Sequence, residues 1–100
     1  MTIRGLQIPM PEVEAYCRRH RIRRLALFGS ALRDDFGPDS DVDVLCEFEP
    51  GARTGLAFFR MQRELSDLLG RRVDLNTPDD LSRYYRDDVL REARVLYDAA

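Results

Sequence analysis

Apolar residues recur along the chain with the two periodicities that distinguish buried strands from amphipathic helices. Apolar runs at 22–28 and 41–48 predict two buried strands, and a shorter run at 71–77 predicts a third. Between the second and third strands, apolar residues at helical spacing predict a helix over 56–69, which Gly70 ends. The middle of the chain therefore alternates between strand and helix.

Both ends of the chain carry helical patterns as well. Pro11, the acidic residues after it and the arginines that follow suit a helix and its dipole over about 11–20. Apolar residues near the C-terminus predict a helix over about 83–93, followed by a short strand through Leu96 and Tyr97. Helices that alternate with strands in one small chain predict an α/β (α+β) fold, with a sheet covered by helices.

Composition fits one domain and excludes several kinds of chemistry. The 100 residues, 44% of them hydrophobic, suffice for one core but leave no room for a second domain, so residues 1–100 are expected to form one domain. Charged residues reach 34% with a net charge of -2, which argues against nucleic-acid binding by bulk electrostatics. All 16 basic residues are arginine, which excludes Schiff-base and phosphate-loop lysines.

Few side chains suit metal binding or nucleophilic catalysis outside one acidic motif. Cys17 and Cys46 lie far apart without metal-ligand spacing, so we expect buried thiols in a reducing cytoplasm. The N-terminus carries no signal peptide, and no apolar run reaches the roughly 18 residues that span a membrane. His20 lies in a basic stretch and is expected to be a surface imidazole, not a catalytic base.

Two further groups of side chains have structural interpretations. A basic cluster is expected to be a solvated face of the first helix, with an acidic partner or a nucleic acid as the alternative. Its members are Arg18, Arg19, Arg21, Arg23 and Arg24. Most of the remaining large apolar side chains are expected in the core, with an interface as the alternative for the tyrosine pair. These are Phe58, Phe59, Met61, Tyr84 and Tyr85.

The most informative stretch is Gly29-Ser30, followed after ten residues by Asp41-Val42-Asp43. Because side chains alternate along a strand, Asp41 and Asp43 are predicted to face the same way, about 7 Å apart. In a cleft such carboxylates need a cation, and Mg²⁺ takes carboxylate oxygens together with substrate phosphates. Ser30, as the N-cap of a short helix, would expose backbone N–H groups that bind anions. This arrangement predicts a site for a nucleoside triphosphate and its magnesium.

Two more side chains complete the predicted site. Asp74 is the acid in the third predicted strand, and a third carboxylate lets two metal ions clamp an in-line displacement. It would also orient or deprotonate an attacking hydroxyl. Arg33 follows Ser30 by about one helical turn and could neutralise charge on the triphosphate.

Other interpretations of the acidic motif differ in how well they fit. Asp41 and Asp43 could be a solvated strand start, Asp74 could be a surface acid paired with Arg71 or Arg72, and Arg33 could be a surface residue of a helix. A calcium loop is excluded because Val44 stands where glycine is needed and Pro50 where glutamate is needed. A phosphatase motif is excluded because its acids would follow their strand instead of beginning it.

The motif as a whole resembles the polymerase-β-like nucleotidyltransferase superfamily, and within it the minimal nucleotidyltransferases that pair with HEPN-domain proteins as antitoxins. The resemblance covers nearly the whole chain. It is carried by Leu27-Phe28-Gly29-Ser30-Ala31-Leu32-Arg33, by Asp39-Ser40-Asp41-Val42-Asp43-Val44-Leu45 and by Val73-Asp74-Leu75. The acidic pair Asp34-Asp35 departs from the family, which often has glycine there, and this departure could weaken triphosphate binding.

The resemblance implies the polymerase-β-like fold with its small mixed sheet, and transfer of AMP from ATP to an acceptor hydroxyl with release of pyrophosphate. Asp41, Asp43 and Asp74 would be the catalytic and metal-binding residues, with two Mg²⁺ expected, and Gly29, Ser30 and Arg33 would bind the triphosphate. The implied acceptor is a tyrosine of a cognate HEPN ribonuclease toxin, in a hetero-oligomer without membrane or direct nucleic-acid contact.

Two rival functions remain open at this point. In one, the chain keeps the fold and neutralises its toxin by binding alone. In the other, it is a nucleotidyltransferase that acts on a small molecule or a nucleic-acid end.

Overall fold

The computed structural model describes residues 1–52 and 54–99. Its elements alternate as the apolar pattern predicts, and two short 3₁₀ turns, Gly29–Leu32 and Pro78–Asp80, join them. In chain order, the strands and helices are β1 (Thr2–Ile3), β2 (Leu6–Gln7), α1 (Met10–Arg19), β3 (Ile22–Phe28), β4 (Val42–Phe48), α2 (Ala57–Leu69), β5 (Val73–Asn76), α3 (Arg86–Glu92) and β6 (Arg94–Asp98).

Four strands form one mixed sheet in the order β5-β4-β3-β6. Strand β3 pairs antiparallel with β4 and with β6, whereas β4 pairs parallel with β5 through the crossover helix α2. This confirms the predicted small α+β fold with a mixed sheet and flanking helices. Strands β1 and β2 form a separate hairpin that the apolar pattern did not predict, because each has only two residues.

The two faces of the sheet are covered unequally. Val42, Val44 and Cys46 of β4 belong to the large core beneath α1 and α2, whereas Leu45 belongs to a small cluster with Ala26, Leu81 and side chains of α3. Since neighbouring strand residues point to opposite faces, Asp43 shares the α3 face with Leu45. By the same alternation Asp74 lies on that face, because Val73 and Leu75 are in the large core. Both acids therefore lie on the less covered face of the sheet.

Two of the predicted helices differ in extent or starting residue from those in the structure. The helix expected from Ser30 is a four-residue 3₁₀ turn whose N-cap is Phe28, so the prediction of Ser30 as N-cap is wrong. Helix α3 begins three residues later than predicted, at Arg86, because a turn in which Tyr85 N–H donates to the Ser82 carbonyl precedes it.

The sulfur and imidazole groups have structural roles. Cys17 and Cys46 are free, fully buried thiols, as predicted, and burial raises the pKa of each to about 12. His20 is partly exposed at the end of α1, in keeping with the expected surface imidazole, and its ring centroid lies 4.1 Å from that of Tyr16. Desolvation lowers the pKa of His20, because burial disfavours its charged form.

Several exposed side chains also depart from expectation. Met61 is buried as predicted, but the side chains of Phe59, Tyr84 and Tyr85 are 67%, 83% and 48% exposed, so their placement in the core is wrong. In the basic cluster, Arg21 pairs with Glu49, and Arg24 lies close to Glu47 and Asp98.

Within the described ranges, no helix is both long and apolar enough to cross a membrane.

Candidate active site

Asp43 and Asp74 lie side by side on neighbouring parallel strands. Their Cα atoms are register partners in the β4–β5 pairing, and adjacent strands lie about 4.8 Å apart. Asp43 is half-buried, whereas Asp74 is exposed on the edge strand. Asp41 precedes β4 by one residue, with its side chain 52% exposed. The fold thus brings Asp43 and Asp74 together and places Asp41 immediately before the start of β4.

The Gly29-Ser30 turn is bonded directly to the acidic motif. The Ser30 backbone N–H donates to Asp43 Oδ2 at 3.0 Å. The Ser30 hydroxyl lies 3.0 Å from the same oxygen and 2.6 Å from the Asp41 carbonyl oxygen, so its single proton is shared between these acceptors. Ser30 therefore joins the end of β3 to both aspartates and orients the Asp43 carboxylate.

Gly29 leaves the space that the Asp43 carboxylate occupies. A Cβ atom at position 29 would lie 2.5 Å from Asp43 Oδ2, well inside van der Waals contact. Gly29 also has a φ of 60°, in the left-handed region that glycine tolerates best. The glycine is thus required by a specific neighbour as well as by its own backbone.

The arginines near the acids have partners other than those expected. Arg33 is 67% exposed, and its Nε lies 3.9 Å from Asp35, one of the two acids that depart from the family pattern. Arg72 Nε lies 4.0 Å from Asp41 Oδ1. Within the part of the chain that the structure describes, the ion pairs place Arg72 against Asp41, and neither Arg71 nor Arg72 pairs with Asp74.

The acids provide the kind of oxygen donors that suit a magnesium ion. Across residues 1–52 and 54–99, no three side chains of the His, Cys, Asp and Glu types converge on one preformed metal site. Asp41 and Asp43 supply hard carboxylate oxygens, and Ser30 engages only the Oδ2 atom of Asp43 in its hydrogen bonds. Mg²⁺ is commonly held by one or two carboxylates and completed by substrate phosphates, so the donor set is suitable.

Helix α2 supports the strand that carries Asp74, through residues that sequence reasoning missed. Val73 N–H donates to Ser66 Oγ at 3.0 Å, and Leu75 N–H donates to Gln62 Oε1 at 2.9 Å. These bonds flank Asp74 on both sides and satisfy backbone groups at the sheet edge. The available signal was the four-residue spacing of the two polar side chains on an otherwise core-facing stretch of helix.

Comparison with known proteins identifies the family of this chain. Residues 12–96 match the family model of the nucleotidyltransferase domain. Protein adenylyltransferase MntA of Thermococcus cleftensis is 33% identical over 93 residues, covering 85% of this chain and 93% of that protein. A solved structure described as a candidate minimal nucleotidyltransferase is 42% identical, with a TM-score of 0.69, over 84% of this chain and 85% of that one.

More distant structures share the fold. A toxin–antitoxin complex with AMP-PNP superposes with a TM-score of 0.72 at 18% identity, over 91% of this chain and 74% of the other.

The family model and the relatives together confirm the resemblance that the Gly-Ser and Asp-x-Asp motifs carry. Because the family model covers most of its length and the fold agrees, this chain belongs to the nucleotidyltransferase domain family, in its minimal branch.

Proposed function

We propose that this protein is a protein adenylyltransferase of the MntA type, which transfers AMP from ATP to a tyrosine hydroxyl of a cognate HEPN-domain toxin and so acts as its antitoxin. The observation that carries the proposal is the bonding of the Gly29-Ser30 turn to Asp43, opposite Asp74 in the parallel strand pair. The relative at 33% identity is a protein adenylyltransferase, and the AMP-PNP structure is a toxin–antitoxin complex.

The donor side of the proposed site uses the residues around the acidic motif. Asp41 and Asp43 would hold the expected pair of Mg²⁺ ions, with Asp74 as a further ligand, and Gly29, Ser30 and Arg33 would bind the triphosphate. When bound, the metal would neutralise phosphate charge and polarise the α-phosphate. Arg33 must leave Asp35 to contact a phosphate, which is an easy change for an exposed pair 3.9 Å apart.

The acceptor side of the proposed reaction centres on Asp74. Its exposed carboxylate would accept the proton of the tyrosine hydroxyl while the hydroxyl oxygen attacks the α-phosphorus. The new bond joins the tyrosine oxygen to the α-phosphorus, and the bond from that phosphorus to the bridging oxygen breaks. Pyrophosphate leaves with the bonding electron pair, and the products are an AMP-tyrosine and pyrophosphate.

A partner protein is proposed because the reaction needs an acceptor hydroxyl, and the residues assigned above hold the nucleotide, the metal and the base that would act on that hydroxyl. Solved relatives of the same fold include MntA–HepT toxin–antitoxin complexes. By analogy, this chain would work in a hetero-oligomer that presents the acceptor tyrosine to Asp74. The dependence on ATP and the two reduced thiols are consistent with the cytoplasm.

The test mixes the purified chain with ATP labelled at the α-phosphate, Mg²⁺ and the small helical protein encoded beside it. We expect label on a tyrosine of the partner, and loss of that label in the double variant Asp41→Ala plus Asp43→Ala. A matched control, Asp87→Ala plus Asp88→Ala, removes two adjacent exposed acids from the first turn of α3 and should keep full labelling.

The rival functions are distinguished by the same experiment. Neutralisation of the toxin that survives the Asp41 and Asp43 substitutions, without label on the partner, would favour inhibition by binding alone. Turnover of ATP onto a small hydroxyl compound or a nucleic-acid end, with an unlabelled partner, would favour the other enzyme class. Label on a residue other than tyrosine would contradict the proposed acceptor only.

A further inference from the structure

Arg71 connects the loop that leads into Asp41 to the strand that carries Asp74. Its Nη2 atom donates to the Gly37 carbonyl at 2.6 Å and to the Ser40 carbonyl at 2.5 Å. The side chain is half-buried, and hydrogen bonds from a charged guanidinium are stronger than neutral ones. One side chain therefore holds both ends of the short turn that ends just before Asp41.

The turn is arranged so that both carbonyls are available to Arg71. Ser40 N–H donates to the Gly37 carbonyl at 3.1 Å, and Gly37 N–H donates to Ser40 Oγ at 3.0 Å. Arg71 also stacks its guanidinium 4.8 Å from the ring centroid of Phe36, which packs against the large core. The loop is thus anchored at three neighbouring positions, and Arg71 contacts all of them.

This anchorage lies at the starts of β4 and β5, just ahead of the acids that the two strands carry. Ser40 directly precedes Asp41, and Arg71 lies just before β5, where Val42 N–H donates to the Arg72 carbonyl at 2.8 Å. The pairing of Asp43 with Asp74 then follows along the same two strands. Ser30 holds the Asp41 carbonyl oxygen, so a displacement of the 37–40 turn would disturb Asp41 from its N-terminal side.

We propose that Arg71 is a positioning residue, which holds the Asp41 loop against the start of β5 and so keeps Asp41 in place relative to Asp43 and Asp74. Its consequence for catalysis rests on the proposed function, because Asp41 is assigned there to the donor side. Among residues 1–52 and 54–99, the hydrogen bonds of the Arg71 side chain go to the Gly37 and Ser40 carbonyls and not to Asp43 or Asp74. Its effect on the transfer reaction is exerted through the loop.

The test compares Arg71→Met, which keeps an apolar stem of similar length but removes the donors, with Arg63→Ala on the exposed face of α2 as the control. Amide hydrogen exchange measured by NMR reports on the loop without reference to activity. We expect exchange at Ser40 and Val42 to become at least about tenfold faster in Arg71→Met, with the amides of α1 unchanged. Unchanged exchange at those two amides would overturn the inference.

Kinetics separate positioning from a general contribution to stability. Well below the melting temperature, kcat of Arg71→Met should fall at least about tenfold while its affinity for the partner stays unchanged, since misplaced catalytic groups lower the rate without altering docking. Arg71→Lys keeps the charge and a donor and should recover part of the rate. A lowered Tm with kcat equal to that of the control would indicate a structural role only, and would overturn the inference.

The two proposals fail in different ways. A wild-type protein that labels no partner would contradict the proposed function, while the amide exchange of Arg71→Met would still decide the role of Arg71. Labelling by the wild type together with unchanged loop exchange in Arg71→Met would contradict the Arg71 inference alone.

Discussion

At the scale of single residues, the two aspartates of the Asp-x-Asp motif have different environments. Asp43 is half-buried, and its Oδ2 accepts hydrogen bonds from the backbone and hydroxyl of Ser30. Asp41 is exposed and has Arg72 at 4.0 Å. Gly29 belongs to the same unit, because its missing side chain is what allows the Asp43 carboxylate to reach the turn. The motif therefore combines one carboxylate that is held by hydrogen bonds with one that is exposed.

Gly29→Ala should displace the Asp43 carboxylate, because the new Cβ would lie 2.5 Å from Oδ2. A shift of about 1 Å in a catalytic group can cost about 100-fold in rate, and we expect a loss of that size in AMP transfer. Gly55→Ala is a matched control, since Gly55 has a φ of 50° and no neighbour within 4 Å of the built Cβ.

Both substitutions carry a similar backbone cost, and the clash with Asp43 should lower the unfolding temperature of Gly29→Ala further. At a temperature where both variants are folded, labelled transfer should fall only in Gly29→Ala. Equal transfer rates in the two variants would show that the contact with Asp43 is unimportant for the reaction.

At the scale of elements, β5 is a four-residue edge strand that pairs with β4 on one side and donates two further hydrogen bonds to side chains of α2. Ser66 and Gln62 accept from Val73 and Leu75, the residues on either side of Asp74. Edge strands leave backbone groups unpaired, and side chains of a covering helix are one way to satisfy them. Helix α2 therefore has two roles, since its apolar face fills the core and its polar side chains hold the strand of the third acid.

Gln62→Leu should leave the Leu75 N–H without its acceptor and destabilise the protein by about 1–3 kcal/mol, the usual cost of an unsatisfied buried group. Gln62→Glu keeps an oxygen at the same position and should lose less. Urea unfolding measures both changes, and amide exchange at Leu75 localises them. Equal destabilisation by the two substitutions would mean that the acceptor oxygen at position 62 does not matter.

At the scale of the whole molecule, the sheet has one well-covered face and one lightly covered face. The large core lies beneath α1 and α2, while only Ala26, Leu45 and Leu81 are buried in the cluster beneath α3. Asp43 and Asp74 lie on the lightly covered face, away from α1 and α2. A chain of 100 residues thus stabilises itself on one side of the sheet and presents its acids on the other.

The unequal cores predict unequal responses to truncation. Leu65→Ala, in the large core, should cost about 2–5 kcal/mol of global stability in urea unfolding. Leu81→Ala should cost less globally and should mainly speed amide exchange in α3, such as that of Val89, which donates to the Tyr85 carbonyl. The prediction fails if Leu81→Ala lowers global stability as much as Leu65→Ala does.

Apolar periodicity was sufficient to predict the strands β3, β4 and β5 and the helix α2, because burial of one face imposes a period that local sequence records. The Gly-Ser and Asp-x-Asp motifs and Asp74 were also visible, since residue type and spacing carry the likeness to nucleotidyltransferases.

The hydrogen-bond partners of these and neighbouring residues could not be predicted from the sequence. Ser30 was expected to cap a helix, yet it bonds Asp43, thirteen residues away. Arg71 reaches carbonyls more than thirty residues away, and no side-chain pattern specifies a backbone acceptor. Exposure of Phe59 and Tyr84 likewise depends on which neighbours the fold supplies. Local pattern defines the elements, whereas contacts between distant segments arise only when the packed sheet brings those segments together.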